Sequence, residues 1–161
     1  MDTKAIIQSQ FLAALEMLKN AIEQCPEGIW ADPEPQNKFW HTAYHSLFYA
    51  HFYLHPSESD FIPWEKHRAE VTSLKPSDDF NAVKPYTKIE VLEYLDFCRE
   101  QVKEKIAACD LEAESGFSWL PFSTLEKHIY NLRHVQQHTG ELFERLGQAG
   151  IEVHWVGKID H

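Results

Sequence analysis

The amino-acid sequence predicts an all-α fold, and more narrowly a four-helix bundle. Four long segments place apolar residues at intervals of three and four, which is the pattern of an amphipathic helix. No segment alternates like a half-buried strand, and there is no internal repeat. A chain of 161 residues is about the size of one domain. We therefore expect residues 1–161 to form a single bundle with one core.

The first two helices are predicted from apolar spacing and from the breaks around them. Apolar residues between Ile6 and Ile22 recur at helical spacing, which predicts a helix over residues 3–24. After a proline-rich loop, the sequence NKFWHTAYHSLFYAHFYLH runs to Pro56 without Gly or Pro, with Asn37 as the expected N-cap. This second helix is apolar nearly all round, so it should be the most buried element.

A long connection follows the second helix. Residues 56–86 show no sustained period, and a loop of this length in a small domain usually has a function or packs over another part of the domain. We predict that it forms a lid. The sequence TKIE at residues 87–90 is a capping box, and the third helix should continue from it to about Cys109.

The fourth helix begins at a second capping box, the sequence STLE at residues 123–126. Its apolar stripe continues to Gly147. The tail that follows, GIEVHWVGK, fits either a short strand or an extended cover over the bundle.

Composition excludes several classes of partner and compartment. The net charge of -10 and the scattered distribution of only 15 Lys and Arg residues argue against nucleic-acid binding. No signal peptide and no run of 18 apolar residues is present, so we expect a cytoplasmic protein without a membrane partner. The cysteines, Cys25, Cys98 and Cys109, form no CxxC pair, which predicts reduced thiols. The last two lie in the predicted third helix and are expected to be packing residues, with a cysteine nucleophile as the alternative.

Several common catalytic motifs are absent. The chain has no glycine-rich phosphate loop and no GxSxG sequence, so nucleotide binding and serine hydrolysis have no support. It also lacks the HExxH motif of zinc proteases and the Glu-x-x-His pairs of ferritin-like carboxylate sites.

Histidines provide the most specific signal. The chain has ten of them. Residues four apart on a helix lie one turn apart on the same side, so two imidazoles at this spacing can reach one metal ion. Three HxxxH pairs occur: His41 with His45, His51 with His55, and His134 with His138.

Position on the helix separates the pairs. His134 and His138 lie on one flank of the apolar stripe, with Asn131 and Glu141 nearby, so they are either solvated surface residues or metal ligands rather than core residues. His45 lies in an aromatic segment that must face another helix, where its imidazole needs a hydrogen-bond partner or a metal.

The other histidines are expected to have no shared site. His41, near the start of its helix, should be exposed, and His51 need not point the same way as His45. His55 precedes Pro56 and should end the helix. Surface or local capping roles are expected for the rest: His67, His128, His154 and His161.

The sequence FWHTAYHSLFYAHFYL, followed about ninety residues later by LEKHIYNLRHVQQHTGELFERL, resembles the DinB/YfiT-like superfamily of metal-dependent enzymes over most of the chain. In that superfamily one histidine of the second helix and an HxxxH pair of the last helix bind a divalent ion in an open site. The resemblance therefore implies His45, His134 and His138 as ligands. Close relatives often read RHVQHH, with histidine where Gln137 stands here, and an acidic residue in place of His51. His51 is thus a candidate fourth ligand or a support for one.

The resemblance implies a function as well as a site. Members include thiol-dependent transferases, isomerases and proteins called hydrolases. We expect a metal-dependent hydrolase or thiol-dependent transferase that binds Zn²⁺ or Ni²⁺ and a small-molecule substrate such as a thiol.

Candidate catalytic residues lie beside the expected ligands. Tyr44, Asn131 and Glu141 are expected to orient the ligands or the substrate. An aromatic wall is expected from Trp40, Tyr44 and Phe48. The alternative is a non-catalytic metal-binding or stress-response bundle. A homodimer through the apolar second helix is expected in that case, and is the oligomeric state we predict.

Overall fold

The computed structural model describes residues 2–75 and 83–159. Over these residues the chain is all-α and contains no strand, only an isolated bridge between Glu114 and Ser123. The prediction of an all-α fold is confirmed. The α-helices are α1 (Thr3–Gln24), α2 (Glu27–Trp30), α3 (Phe39–Phe52), α4 (Lys88–Ala108) and α5 (Thr124–Gln148). The four long helices match the four predicted segments, and the single turn α2 was not expected.

Local capping explains most of the helix boundaries. Thr87 forms the predicted capping box with Glu90 at the start of α4. Ser123 accepts a hydrogen bond from the N–H of Glu126 at 3.3 Å and so begins α5. The prediction that Asn37 caps the second helix is wrong. The cap is Lys38, whose ammonium instead donates to the Pro35 carbonyl at 2.7 Å and so holds the preceding loop.

The long helices pack in a closed arrangement. α1 and α3 each lie against both α4 and α5, and they touch each other only lightly. All residues of α3 are buried except Tyr49 and Phe52, which confirms that this helix is the most buried element. In the described part of the chain, no helix combines the length and apolar character needed to cross a bilayer.

The connection between α3 and α4 lies over the bundle. The 3₁₀ turn Ala69–Val71 of this connection contacts α3, and the Val71 carbonyl lies 3.0 Å from His41 Nε2. Trp64 stacks on Tyr94 of α4 with ring centroids 4.5 Å apart. Residues 76–82 of the predicted lid lie outside the described residues.

The C-terminal tail is an extended cover rather than a strand. Ile151 and Val153 pack against the core. The Ser9 hydroxyl donates to the Ile159 carbonyl at 2.8 Å, so the tail is anchored on α1.

Histidine burial in the core makes stability sensitive to acid. His51 is 1% exposed, and its Nδ1 lies 3.1 Å from the Tyr94 hydroxyl. The rings of Phe61 and Phe97 contact its imidazole edge to face. Burial lowers the pKa of His51 to about 3, with a smaller contribution from His55. The folded protein therefore holds His51 neutral at every pH above that value.

Below about pH 6.5 the unfolded chain protonates His51 and the folded protein does not, so stability should fall as the pH is lowered. Between pH 6 and 5, His51→Phe is expected to reduce the slope of the free energy of unfolding against pH by up to about 1.4 kcal/mol per pH unit. Urea unfolding of chelator-treated protein at several pH values in this range measures the slope. Tyr94→Phe is the matched control, since it removes the same hydrogen bond but keeps the imidazole and so should keep the slope. Equal slopes in wild type and His51→Phe would contradict the prediction.

Candidate metal centre

The centre lies at the interface between α3 and α5. α5 presents polar side chains to α3 at intervals of three or four residues, and these follow one side of the helix. They are Lys127, Asn131, His134 and His138. Such a polar stripe at a helix interface is stable only if each group finds a partner.

Two members of the stripe bind the end of α3. The last carbonyls of a helix lack partners within the helix, and Ala50 is one of these residues. Asn131 Nδ2 donates to the Ala50 carbonyl at 2.9 Å, and Lys127 Nζ donates to the His55 carbonyl just beyond the helix, also at 2.9 Å. These two hydrogen bonds fix how α5 is placed along α3.

With the helices placed this way, three histidines converge. His134 Nε2 lies 3.3 Å from His45 Nε2 and 3.2 Å from His138 Nε2. The ligand atoms of the three side chains all lie within 4.8 Å of one another. Zn–N bonds of about 2.0–2.1 Å at tetrahedral angles place ligand nitrogens about 3.3–3.4 Å apart. The separations of His134 from His45 and from His138 match this spacing, so the group could hold a metal ion.

Proton positions on the rings also favour a cation. His45 Nδ1 donates to the Thr72 carbonyl at 2.6 Å, and His138 Nδ1 donates to Glu141 Oε2 at 2.8 Å, because both partners can only accept. The Nε2 atoms of His45 and His138 then each carry a lone pair, and both lone pairs face His134. The single Nε2–H of His134 can satisfy only one of them. If His134 instead carries its proton on Nδ1, which has no hydrogen-bond partner among the described residues, a cation among the three nitrogens would be bound by all three lone pairs.

Burial keeps the imidazoles of His45 and His134 neutral. His45 and His138 are buried, whereas His134 is half-buried. Burial lowers the pKa of His45 to about 4 and that of His134 to about 3, and the neighbouring histidines lower the pKa of His134 further. A neutral imidazole is the form that binds a metal.

The structure places the three predicted catalytic residues in different surroundings. Glu141 contacts His138, and Asn131 supports the helix interface rather than reaching a ligand. Tyr44 does not join the group: its ring stacks on Tyr86 with centroids 4.6 Å apart, and its hydroxyl binds His67 Nδ1 at 2.8 Å. Their catalytic roles remain predictions.

Two expectations about histidines, those for His41 and His128, are wrong. His51, a candidate fourth ligand or support for one, forms its hydrogen bond with Tyr94. His41 and His128, expected at the surface, are 2% and 1% exposed. His138, which the sequence left as either a solvated residue or a metal ligand, is 7% exposed, because α3 covers that side of α5. His161 lies outside the described residues.

Two supporting groups were missed by sequence reasoning. The ring of Tyr49 contacts His45 and His134, with centroid distances of 4.8 and 5.4 Å. It lies one turn after His45 on the same side of α3, a spacing that could have identified it. The Thr72 carbonyl had no sequence signal, since every residue type carries a backbone carbonyl.

Comparisons of the chain with protein families, with curated proteins and with solved structures found no match. The candidate centre therefore rests on its own geometry.

Asn131→Ala should lower the free energy of unfolding by about 1–3 kcal/mol, because it leaves the Ala50 carbonyl buried without a partner. We also expect weaker metal binding, since the two helices lose one of the bonds that align them. Urea unfolding of metal-free protein and zinc titration with a competing chelator measure the two effects. Gln136→Ala is the control, because Gln136 points to Met17 of α1. Unchanged metal affinity in Asn131→Ala would contradict this role.

Glu141→Gln should weaken metal binding about tenfold, because a neutral amide supports the basicity of His138 less than a carboxylate does. Glu144→Gln removes the same charge from an exposed position on α5 and should have no such effect. Competition titrations with zinc compare the variants. If both variants bind zinc equally well, Glu141 does not act on the ligand.

Proposed function

We propose that this protein is a metal-dependent enzyme of the DinB/YfiT-like kind, a four-helix bundle with Zn²⁺ or Ni²⁺ in an open three-histidine site. The observation that carries the proposal is that His134 Nε2 lies 3.2 Å from His138 Nε2 and 3.3 Å from His45 Nε2. In His45 and His138 the proton is on Nδ1, where it is donated to an acceptor, so both Nε2 atoms carry lone pairs. With three neutral imidazoles, the single Nε2–H of His134 can satisfy only one of the other two lone pairs, whereas a divalent ion would be bound by all three Nε2 atoms.

An open coordination position favours catalysis over a structural role. In the described part of the chain the group has three ligands, and one of them is half-exposed. Structural zinc sites usually have four protein ligands, whereas catalytic sites keep one position for water or substrate. A divalent ion here supplies Lewis acidity toward a water molecule or a thiol.

The chain's own residues prepare the site for a substrate. The Thr72 carbonyl and the Glu141 carboxylate hold His45 and His138 in the tautomer that directs Nε2 inward. Tyr49, only partly buried, packs against two of the three rings and limits access of water from that side. A small molecule with a thiol or a hydrolysable bond is the substrate class that we propose.

The alternative is a non-catalytic metal-binding or stress-response bundle that acts as a homodimer. The apolar surface of α3 gave the reason to expect a dimer. That surface packs against α4, α5 and the 3₁₀ turn of the same chain, so it does not require a second copy. The homodimer remains a prediction.

Elemental analysis of protein purified without a histidine tag or chelator tests the proposal. We expect near one equivalent of transition metal per chain in wild type and in His154→Ala, which removes an exposed histidine of the tail. The metal should be lost in His45→Ala and His134→Ala, with helix content unchanged by circular dichroism. Metal absent after reconstitution, or retained in both variants, would refute the ligand set.

Cobalt substitution then distinguishes an enzyme from a structural site. Addition of 2-mercaptoethanol should change the visible spectrum of the Co²⁺ protein if one coordination position is open. A spectrum that thiol leaves unchanged would favour the non-catalytic alternative.

A further inference from the structure

A second group of reactive side chains surrounds a cavity near the N-terminus of α5. The cavity measures about 380 Å³ and lies among the ends of α3, α4 and α5. Apolar wall residues include Leu54, Pro56 and Ala108. The thiol of Cys109 and the side chains of Lys127 and His128 also line it. None of these three is among the proposed metal ligands.

Cys109 differs from the other two cysteines in its solvent exposure and in the side chain that its thiol contacts. Cys25 and Cys98 are buried, whereas Cys109 is partly exposed. Its Sγ lies 3.6 Å from His128 Nε2 and 3.3 Å from the Ile106 carbonyl. His128 is 1% exposed, and its Nδ1 has no hydrogen-bond partner among the described residues. The thiol and the imidazole thus form a close pair at a cavity.

Protonation states suit transfer of a proton from sulfur to nitrogen. Burial raises the pKa of Cys109, more than the charges of Lys4 and Lys127 lower it, so the thiol keeps its proton at neutral pH. Burial lowers the pKa of His128 to about 4, which leaves a neutral imidazole. A protonated nucleophile beside a neutral base is the arrangement of general-base activation.

Lys127 adds a buried positive charge. It is 1% exposed, and its ammonium donates to the carbonyls of His55 at 2.9 Å and Ser115 at 2.7 Å. Burial lowers the pKa of Lys127 to about 8, so it is still mainly charged at pH 7. Its charge acts on Cys109 and can stabilise negative charge that develops in the cavity.

We propose that this cavity binds a small α,β-unsaturated carbonyl compound and that Cys109 adds to it covalently. The sulfur forms a bond to the β-carbon as the C=C π bond breaks. His128 Nε2 takes the thiol proton and returns it to the α-carbon of the enolate, so the adduct is neutral and no oxidant is needed. The Lys127 charge stabilises the enolate oxygen while it is negative.

The reactive side chains of the cavity correspond to parts of this ligand class, and the charged side chains of Glu104, Lys105, Asp110 and Glu114 also line it. The apolar wall residues suit a short carbon chain or ring, the thiol provides the nucleophile, and the imidazole returns a proton that an alkyl halide would not require. Displacement at an alkyl halide forms no enolate, so it requires neither the Lys127 charge nor a returned proton. This difference makes the ligand class testable with two reagents.

The test uses 2-cyclohexen-1-one as the enone and iodoacetamide as the comparison reagent, with adducts located by peptide mass spectrometry. We expect a single enone adduct at Cys109, absent in Cys109→Ser, and none at Cys25 or Cys98. His128→Phe should slow enone addition by about tenfold or more. Lys127→Met should slow the enone more than iodoacetamide. Because Lys127→Met removes two buried hydrogen bonds, its folding is checked by circular dichroism.

Two tryptophan substitutions at exposed positions test the cavity without changing the buried core. Ala108→Trp fills the rim of the cavity and should slow enone addition, whereas Ala107→Trp, exposed one residue earlier and outside the cavity, should not. Equal enone rates in wild type, His128→Phe and Ala108→Trp would overturn the proposal, since Cys109 would then be an ordinary surface thiol. Rates are measured with and without metal, so the result does not depend on the histidine centre.

Discussion

The placement of α5 along α3 is the constraint on which the rest of the molecule depends. Asn131 and Lys127 donate to carbonyls at and just beyond the end of α3, and hydrogen bonds tolerate only small errors in distance. A slip of one residue moves a helix by about 1.5 Å along its axis. Metal–ligand bonds tolerate only about 0.2 Å, so His45 would no longer meet His134 and His138. Two ordinary hydrogen bonds thus set the geometry of the candidate metal centre.

The loop after α3 has an equally direct effect on the centre. The Thr72 carbonyl fixes the tautomer of His45, and the Val71 carbonyl binds His41 one turn earlier on α3. The loop is therefore attached to the same side of α3 that carries a ligand. A ligand ring held by a hydrogen bond on the side away from the metal loses less rotational freedom when the ion binds.

Desolvation has opposite consequences for different groups in this core. It lowers the pKa of His45, His134 and Lys127, and it raises the pKa of Cys109. In the metal centre this yields neutral imidazoles at His45 and His134. In the cavity it yields a protonated thiol beside a neutral imidazole. Lys127 belongs to both regions, because it aligns α3 with α5 and also lines the cavity.

Local sequence patterns determined the helices. Apolar spacing predicted α1 and α5, and the Thr87 capping box predicted the start of α4, because these signals depend only on residues a few positions apart. The spacing of His134 and His138 also showed that they share one side of α5.

Only the tertiary structure decided which side chains are buried and which atoms meet. Spacing could not show that α3 covers His138, that His128 lies inside, or that His51 turns to Tyr94. Nor could it identify the Ala50 and Thr72 carbonyls, which carry no sequence signature but align the helices and orient a ligand. The physical reason is that burial and backbone hydrogen bonding depend on segments distant in sequence, whereas periodicity and capping depend on neighbours.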